Sequence, residues 1–177
     1  MKIMKLTFFI LWGSLTLHSL VYGIEVDGAR DESYGDPVAV QNIQTGFGDP
    51  GSELNAAYAL VSEGRLHLML TGNLEPNFNK LEIFIDSKSG GQNQIIASQN
   101  PNNDNWAAKF DGFTFDSGFS ADYLVILRHG FNGTQLDLDF TELGARGKGS
   151  LVGRFDPVGL GKTGPFEASN GMVLGFD

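Results

Sequence analysis

The chain has no cysteine among its 177 residues. That excludes a disulfide framework, a thiolate nucleophile, a thiolate metal site and a lipid-modified cysteine anchor. Histidine is almost as scarce, with His18, His67 and His129 the only three. Histidines so far apart in sequence make a poor start for a metal centre or an acid–base pair. Basic side chains are few, 12 Lys and Arg against 21 Asp and Glu, giving a formal charge of −9. Such a surface repels nucleic-acid phosphates and anionic membranes.

The glycine patterns that cradle phosphate are missing too. Gly147-Lys148-Gly149-Ser150 lacks the glycine that should precede it. Gly161-Lys162-Thr163 has Asp156 where a P-loop needs glycine. There is no Gly-x-Ser-x-Gly nucleophile elbow. Beyond the first residues, helical periodicity is also hard to find.

What is present begins with a leader. Lys2 and Lys5 precede an apolar run over residues 6–21 that ends at Val21-Tyr22-Gly23. This pattern reads as a secretory signal peptide cleaved after Gly23. The run is short for a bilayer span and carries Ser14, Thr16, His18 and Ser19. Residues 24–177 then form one domain of 154 residues, long enough for a hydrophobic core. Losing two lysines moves the formal charge from −9 to −11. Secretion or display at the cell surface is the expected fate, with no stable membrane insertion.

The mature chain is rich in glycine (24 residues in all) and phenylalanine (14). Short alternating runs are bounded by Gly, Asn, Asp and Pro, which is the pattern of strands and turns. Residues 56–63 and 65–72 alternate about Glu63-Gly64 and predict a β-hairpin. Residues 80–86 carry Leu81, Ile83 and Ile85 on one face and Phe84 on the other, predicting a central strand. Further strands are expected at 113–115, 122–128, 134–140 and 172–176. In 134–140, Leu136, Leu138 and Phe140 should face the core, and Gln135, Asp137 and Asp139 the solvent. Residues 87–105 read as a long polar loop interrupted at 94–97. Residues 145–164 read as Gly-rich and locally basic. Many short strands in one domain predict an all-β fold, a jelly-roll-like β-sandwich.

Three segments carry a family likeness. They are Val26-Asp27-Gly28 with Asp31 and Tyr34-Gly35, then residues 52–58, then residues 68–93 through Leu81-Glu82-Ile83-Phe84-Ile85-Asp86. Together they resemble secreted bacterial proteins of the PEP-CTERM sorting type. The opening segment and the 81–86 strand are also similar to family 9 carbohydrate-binding modules and DOMON-like sandwiches. The likeness covers roughly residues 24–130 and implies a non-enzymatic, surface- or matrix-associated domain. It names no ligand. The sorting signal itself is missing here, and in that family further strands would be expected after Asp177, so the chain is read as either a fragment, its sandwich truncated, or a shortened member.

Candidate chemistry is thin. Arg128-His129-Gly130 resembles the phosphatase motif in which histidine is the nucleophile and arginine holds phosphate. In that family the motif opens an α/β domain, and here only residues 131–177 follow it. Asp27, Asp31, Glu32 and Asp36 cluster in sequence, and Asp86 ends a strand. As hard oxygen donors Asp27, Asp31, Asp36 and Asp86 suit Ca²⁺, though no EF-hand spacing is present. Trp106 follows Asn102-Asn103-Asp104-Asn105, a composition suited to stacking on a sugar and hydrogen-bonding its hydroxyls. The other role for Trp106 is to cap the core. The expected function is a secreted, non-enzymatic domain that binds an extracellular glycan through Trp106, Asn102, Asn103 and Asn105, without a required cofactor. A structural or matrix-assembly protein is the alternative, and a hydrolase the minor one.

Overall fold

The computed structural model describes residues 23–44, 46–48, 51–144 and 147–177. Apart from Gly23, the leader lies outside the described residues. Among the described residues no helix is long and apolar enough to cross a membrane.

The fold is all-β and antiparallel throughout. A three-stranded sheet comprises β1 (Ala39–Val40), β2 (Glu53–Ser62) and β3 (Arg65–Asn73) in that order. The predicted hairpin is there, with Ser62 opposite Arg65 and Ala59 opposite Leu68. Its two turn residues, Glu63 (φ 51) and Gly64 (φ 73), both adopt left-handed backbone. That geometry matches the twist of the strands it joins.

A four-stranded sheet follows: β4 (Lys80–Ile85), β5 (Tyr123–Gly130), β6 (Gln135–Glu142) and β7 (Gly149–Phe155). Two short strands, β8 (Phe166–Glu167) and β9 (Val173–Leu174), close the chain. Single helical turns interrupt the loops at α1 (Trp106–Lys109) and α2 (Pro157–Leu160). Every paired strand is the sequence neighbour of its partner. This is a meander, not the crossover order of a jelly roll.

Three expectations need correction. β4 is an edge strand of its sheet, not a central one. It is apolar on both faces because Phe84 packs in the core on one side of the sheet and Leu81, Ile83 and Ile85 pack against the cluster on the other. Residues 113–115 make no strand; Thr114 joins Gln94 in a single bridge. Conversely β7 was hidden in a Gly-rich stretch. A side chain at Gly149 would collide with Asn103 Oδ1 and Thr141 Oγ1, and one at Gly153 with the ring of Phe155. Here glycine marks close approach within a strand.

The core lies on both sides of the four-stranded sheet. On one face Leu124 and Ile126 pack with Ile95, Trp106, Ala107 and Leu143. Phe84 meets Phe110 at 5.5 Å and Phe115 at 4.9 Å edge-on there. On the other face Val125, Leu127, Leu136 and Leu138 form a second cluster.

The polar side of β6 is therefore not solvated. Asp137 is 1% exposed and Asp139 3%. β5 puts Arg128 directly opposite Asp137, and β7 puts Arg154 there from the other side. The loop carrying Asp104 covers the rest. Burial of these carboxylates follows from charge supplied by the two neighbouring strands.

Candidate functional site

Between β3 and the second face of the four-stranded sheet lies a cavity of about 1020 Å³. Alternation builds both walls. Leu66, Leu68 and Leu70 project from β3, and Leu81, Ile83 and Ile85 from β4. The floor is Val125, Leu127 and Leu138, and Met172, Leu174 and Phe176 close one side. β3 and β4 follow one another in the chain but do not pair. Leu81, Ile83 and Ile85 pack onto the second core cluster, whereas Leu66, Leu68 and Leu70 are not part of it. Leu66 is 54% exposed and Leu68 39%. Protein interiors normally fill such space to crystal-like density. The volume is at the upper end of small-molecule sites.

Several of the polar residues that line the cavity are committed to partners. Glu75 Oε2 accepts from the Ser52 backbone N–H at 3.1 Å and lies 3.3 Å from its hydroxyl. Lys80 Nζ turns to the sheet's other face and meets Asp104 at 2.7 Å. His129 sits at one end. Its Nδ1 lies 2.9 Å from the carbonyl oxygen of Leu74, and its ring stands edge-on to Phe176 at 4.8 Å.

The sequence-derived site residues fall elsewhere. Trp106 is fully buried beneath Phe84 in the first core, so its face is closed to any sugar. It is the capping tryptophan, not the stacking one. The asparagines before it hold the loop together. Asn102 Oδ1 accepts the Ala108 N–H at 3.0 Å. Asn103 donates to Asp139 at 3.1 Å and accepts from Thr141 at 3.1 Å. Asp104 (φ 57) and Asn105 (φ 59) supply two consecutive left-handed residues, a conformation these side chains tolerate. The amide-rich composition thus serves the backbone.

The calcium candidates are likewise dispersed among backbone partners. Asp27 accepts from the Ala29 N–H at 2.8 Å, Asp31 from Glu25 at 3.0 Å and Asp86 from Ser120 at 2.9 Å. Asp36 is exposed. Among the described residues no three Asp, Glu, His or Cys side chains are grouped to hold a metal ion.

Arg128 and His129 are adjacent in a strand and so point to opposite faces. Arg128 is engaged by Asp104 at 2.9 Å, by Asp137 at 3.5 Å and more closely by Asp139. Arg154 Nε lies 2.7 Å from Asp137. Burial alone would raise the Asp137 carboxyl; the Arg154 and Gln135 hydrogen bonds and the nearby guanidinium charges outweigh it and hold it low. An arginine whose terminal nitrogens are held by three carboxylates, and which faces away from the histidine, does not make a phosphate site with it. Nor do Asp137 and Asp139 form a free acid pair.

Sequence reasoning missed the cavity. The signal is in the alternating leucines and isoleucines of 66–70 and 81–85, whose spacing shows a shared face but not what that face meets. No family model matches the chain, and neither a curated protein nor a solved structure matches it.

Proposed function

We propose that this chain is an exported, non-enzymatic binding protein whose ligand is an apolar small molecule held between β3 and the four-stranded sheet. The observation that carries this is the aliphatic cavity of about 1020 Å³ with both walls built from alternate strand positions. The leader supports export, and the likeness to secreted surface-associated sandwiches supports a binding role in a two-layer arrangement. Burial of Trp106 removes the ring on which a glycan would have stacked. Burial of apolar ligand surface would supply roughly 25 cal/mol per Å² before the cost of immobilising the ligand.

The neutral dye N-phenyl-1-naphthylamine tests this. Its fluorescence should rise on the mature protein, and Ile83→Trp, which fills the cavity from β4, should weaken binding at least about tenfold while the protein stays folded. No enhancement, or enhancement indifferent to Ile83→Trp, would defeat the proposal.

A second reading, an assembly component, rests on a different observation. The short edge strand β1 and its flanks present Val38, Val40, Ile43 and Phe47 to solvent, each more than 60% exposed.

A further inference from the structure

His129 defines which apolar molecules the cavity would prefer, an inference that rests on the cavity being the ligand site. The carbonyl oxygen of Leu74 can only accept a hydrogen bond. With Nδ1 at 2.9 Å from it, the ring proton of neutral His129 sits on Nδ1. Nε2 is left as a lone-pair acceptor. No hydrogen bond to Nε2 is formed among the described residues.

That nitrogen also has room beside it. A smaller cavity of about 340 Å³ adjoins the first and shares His129, Phe176 and Asp177 with it. Gly133 lines this smaller space, and a Cβ placed on Gly133 would come within 3.5 Å of Nε2. The absent side chain leaves Nε2 uncovered. The edge-on ring of Phe176 holds the imidazole in place.

The charges at the rim argue against an anionic head. Glu53, Glu75 and Asp177 line the large cavity, whose ammonium, Lys80, is paired with Asp104; Lys162, which lines the smaller cavity together with Asp177, is turned to the Pro165 carbonyl at 3.2 Å and lies over the Phe166 ring. A carboxylate would enter a negative rim and meet a lone pair at His129. A hydroxyl would donate to that lone pair at no charge cost.

We propose that the ligand is a neutral amphiphile, an aliphatic body ending in a hydroxyl that donates to His129 Nε2. His129 thereby selects alcohols over carboxylates and over ethers of the same length.

The test is displacement of bound N-phenyl-1-naphthylamine at pH 8 by 1-decanol, nonyl methyl ether and decanoate, the first two below their solubility limits and decanoate below its micellar concentration. Decanol should displace the dye at about tenfold lower concentration than either of the others. Two variants check the residue. His129→Asn keeps a donor for Leu74 and lacks Nε2; His129→Phe keeps the ring contact and lacks both nitrogens. In each, decanol and the ether should become equal while dye binding persists. Equal displacement by alcohol and ether in the parent protein, a preference for decanoate, or an alcohol preference that survives both variants overturns the role of His129 alone. Failure of all three compounds to displace the dye overturns it together with the cavity as a ligand site.

Discussion

Gly130 has no space for a side chain, because the ring of Phe78 lies where its Cβ would be. Phe78 is anchored there by its backbone, whose N–H donates to the His129 carbonyl at 2.7 Å. Its ring also stands edge-on to Phe131 at 5.1 Å. Gly130→Ala should push that ring outward and cost about 1–3 kcal/mol, read from the urea midpoint at constant slope. In a Phe78→Ala background the same substitution should cost much less, because the two sites couple through one contact. The motif Arg128-His129-Gly130 is thus three residues with three structural tasks: a charge hub, a cavity wall and a crossing point. None of these was legible from the triplet. A tripeptide in a strand gives its facing directly, by alternation, but gives its partners only once the register of the neighbouring strands is known. Trp106 shows the same limit. Its amide-rich neighbours suggested an open loop, whereas two left-handed residues at Asp104 and Asn105 turn it inward.

The segment between β4 and β5 is held at its base by a charge. Asp122 closes its base: Oδ2 accepts from the backbone N–H groups of Ser87 at 2.7 Å and Lys88 at 2.8 Å. The Ser87 bond first, then the Lys88 bond and charge, hold the Asp122 carboxyl below its ordinary value against the opposing effect of burial. Asp137 is held low on the adjoining strands. A carboxylate depressed in the folded state contributes stability that is complete above its unfolded value, about 3.9, and is lost as pH falls through the folded value. Melting temperature should therefore drop as pH falls below about 4, and Asp122→Asn should flatten that drop. Glu82 has the opposite sign. Burial raises its carboxyl, with Lys80 opposing and Asp104 adding to the rise. Its ionisation penalises the fold once pH exceeds the unfolded value, about 4.3. Glu82→Gln should raise the melting temperature at pH 7, with the gain vanishing below about pH 4. The hairpin of β2 and β3 was legible because alternation and a two-residue turn are local signals. β7 was not, because its glycines answer to Asn103, Thr141 and Phe155, which are distant in sequence.

At the scale of the whole molecule, the all-β class followed from many short alternating runs, but the sheet order did not. Alternation says which residues share a face, and it does not say which edge another strand will meet. The cavity follows from that missing information, since β3 and β4 are consecutive and unpaired. The exposed apolar edge around β1 belongs to this scale too. Edges of this kind are usually blunted by charge. If copies assemble through it, β1 of one copy meets either the same edge of another across a twofold axis, closing a dimer, or a different edge, building an open chain. Sedimentation velocity of residues 24–177 should then show mass growing with concentration, and Val40→Lys should return it to a single monomer boundary. Monomer at all concentrations up to the millimolar range removes the assembly reading and leaves the cavity reading untouched.

The unfilled wall between the two sheets has one more consequence. A sheet that buries little of its apolar face on its neighbour draws its stability from its own ladder. The β2–β3 hairpin is therefore joined to the rest of the domain by covalent continuity more than by shared interior. Such a unit can detach and re-dock without global unfolding, since local opening free energies run well below the global value. Cooperativity in this molecule would be vested in the four-stranded sheet and its aromatic cap. An occupant of the gap would act as mortar, making two mechanically separate bodies behave as one.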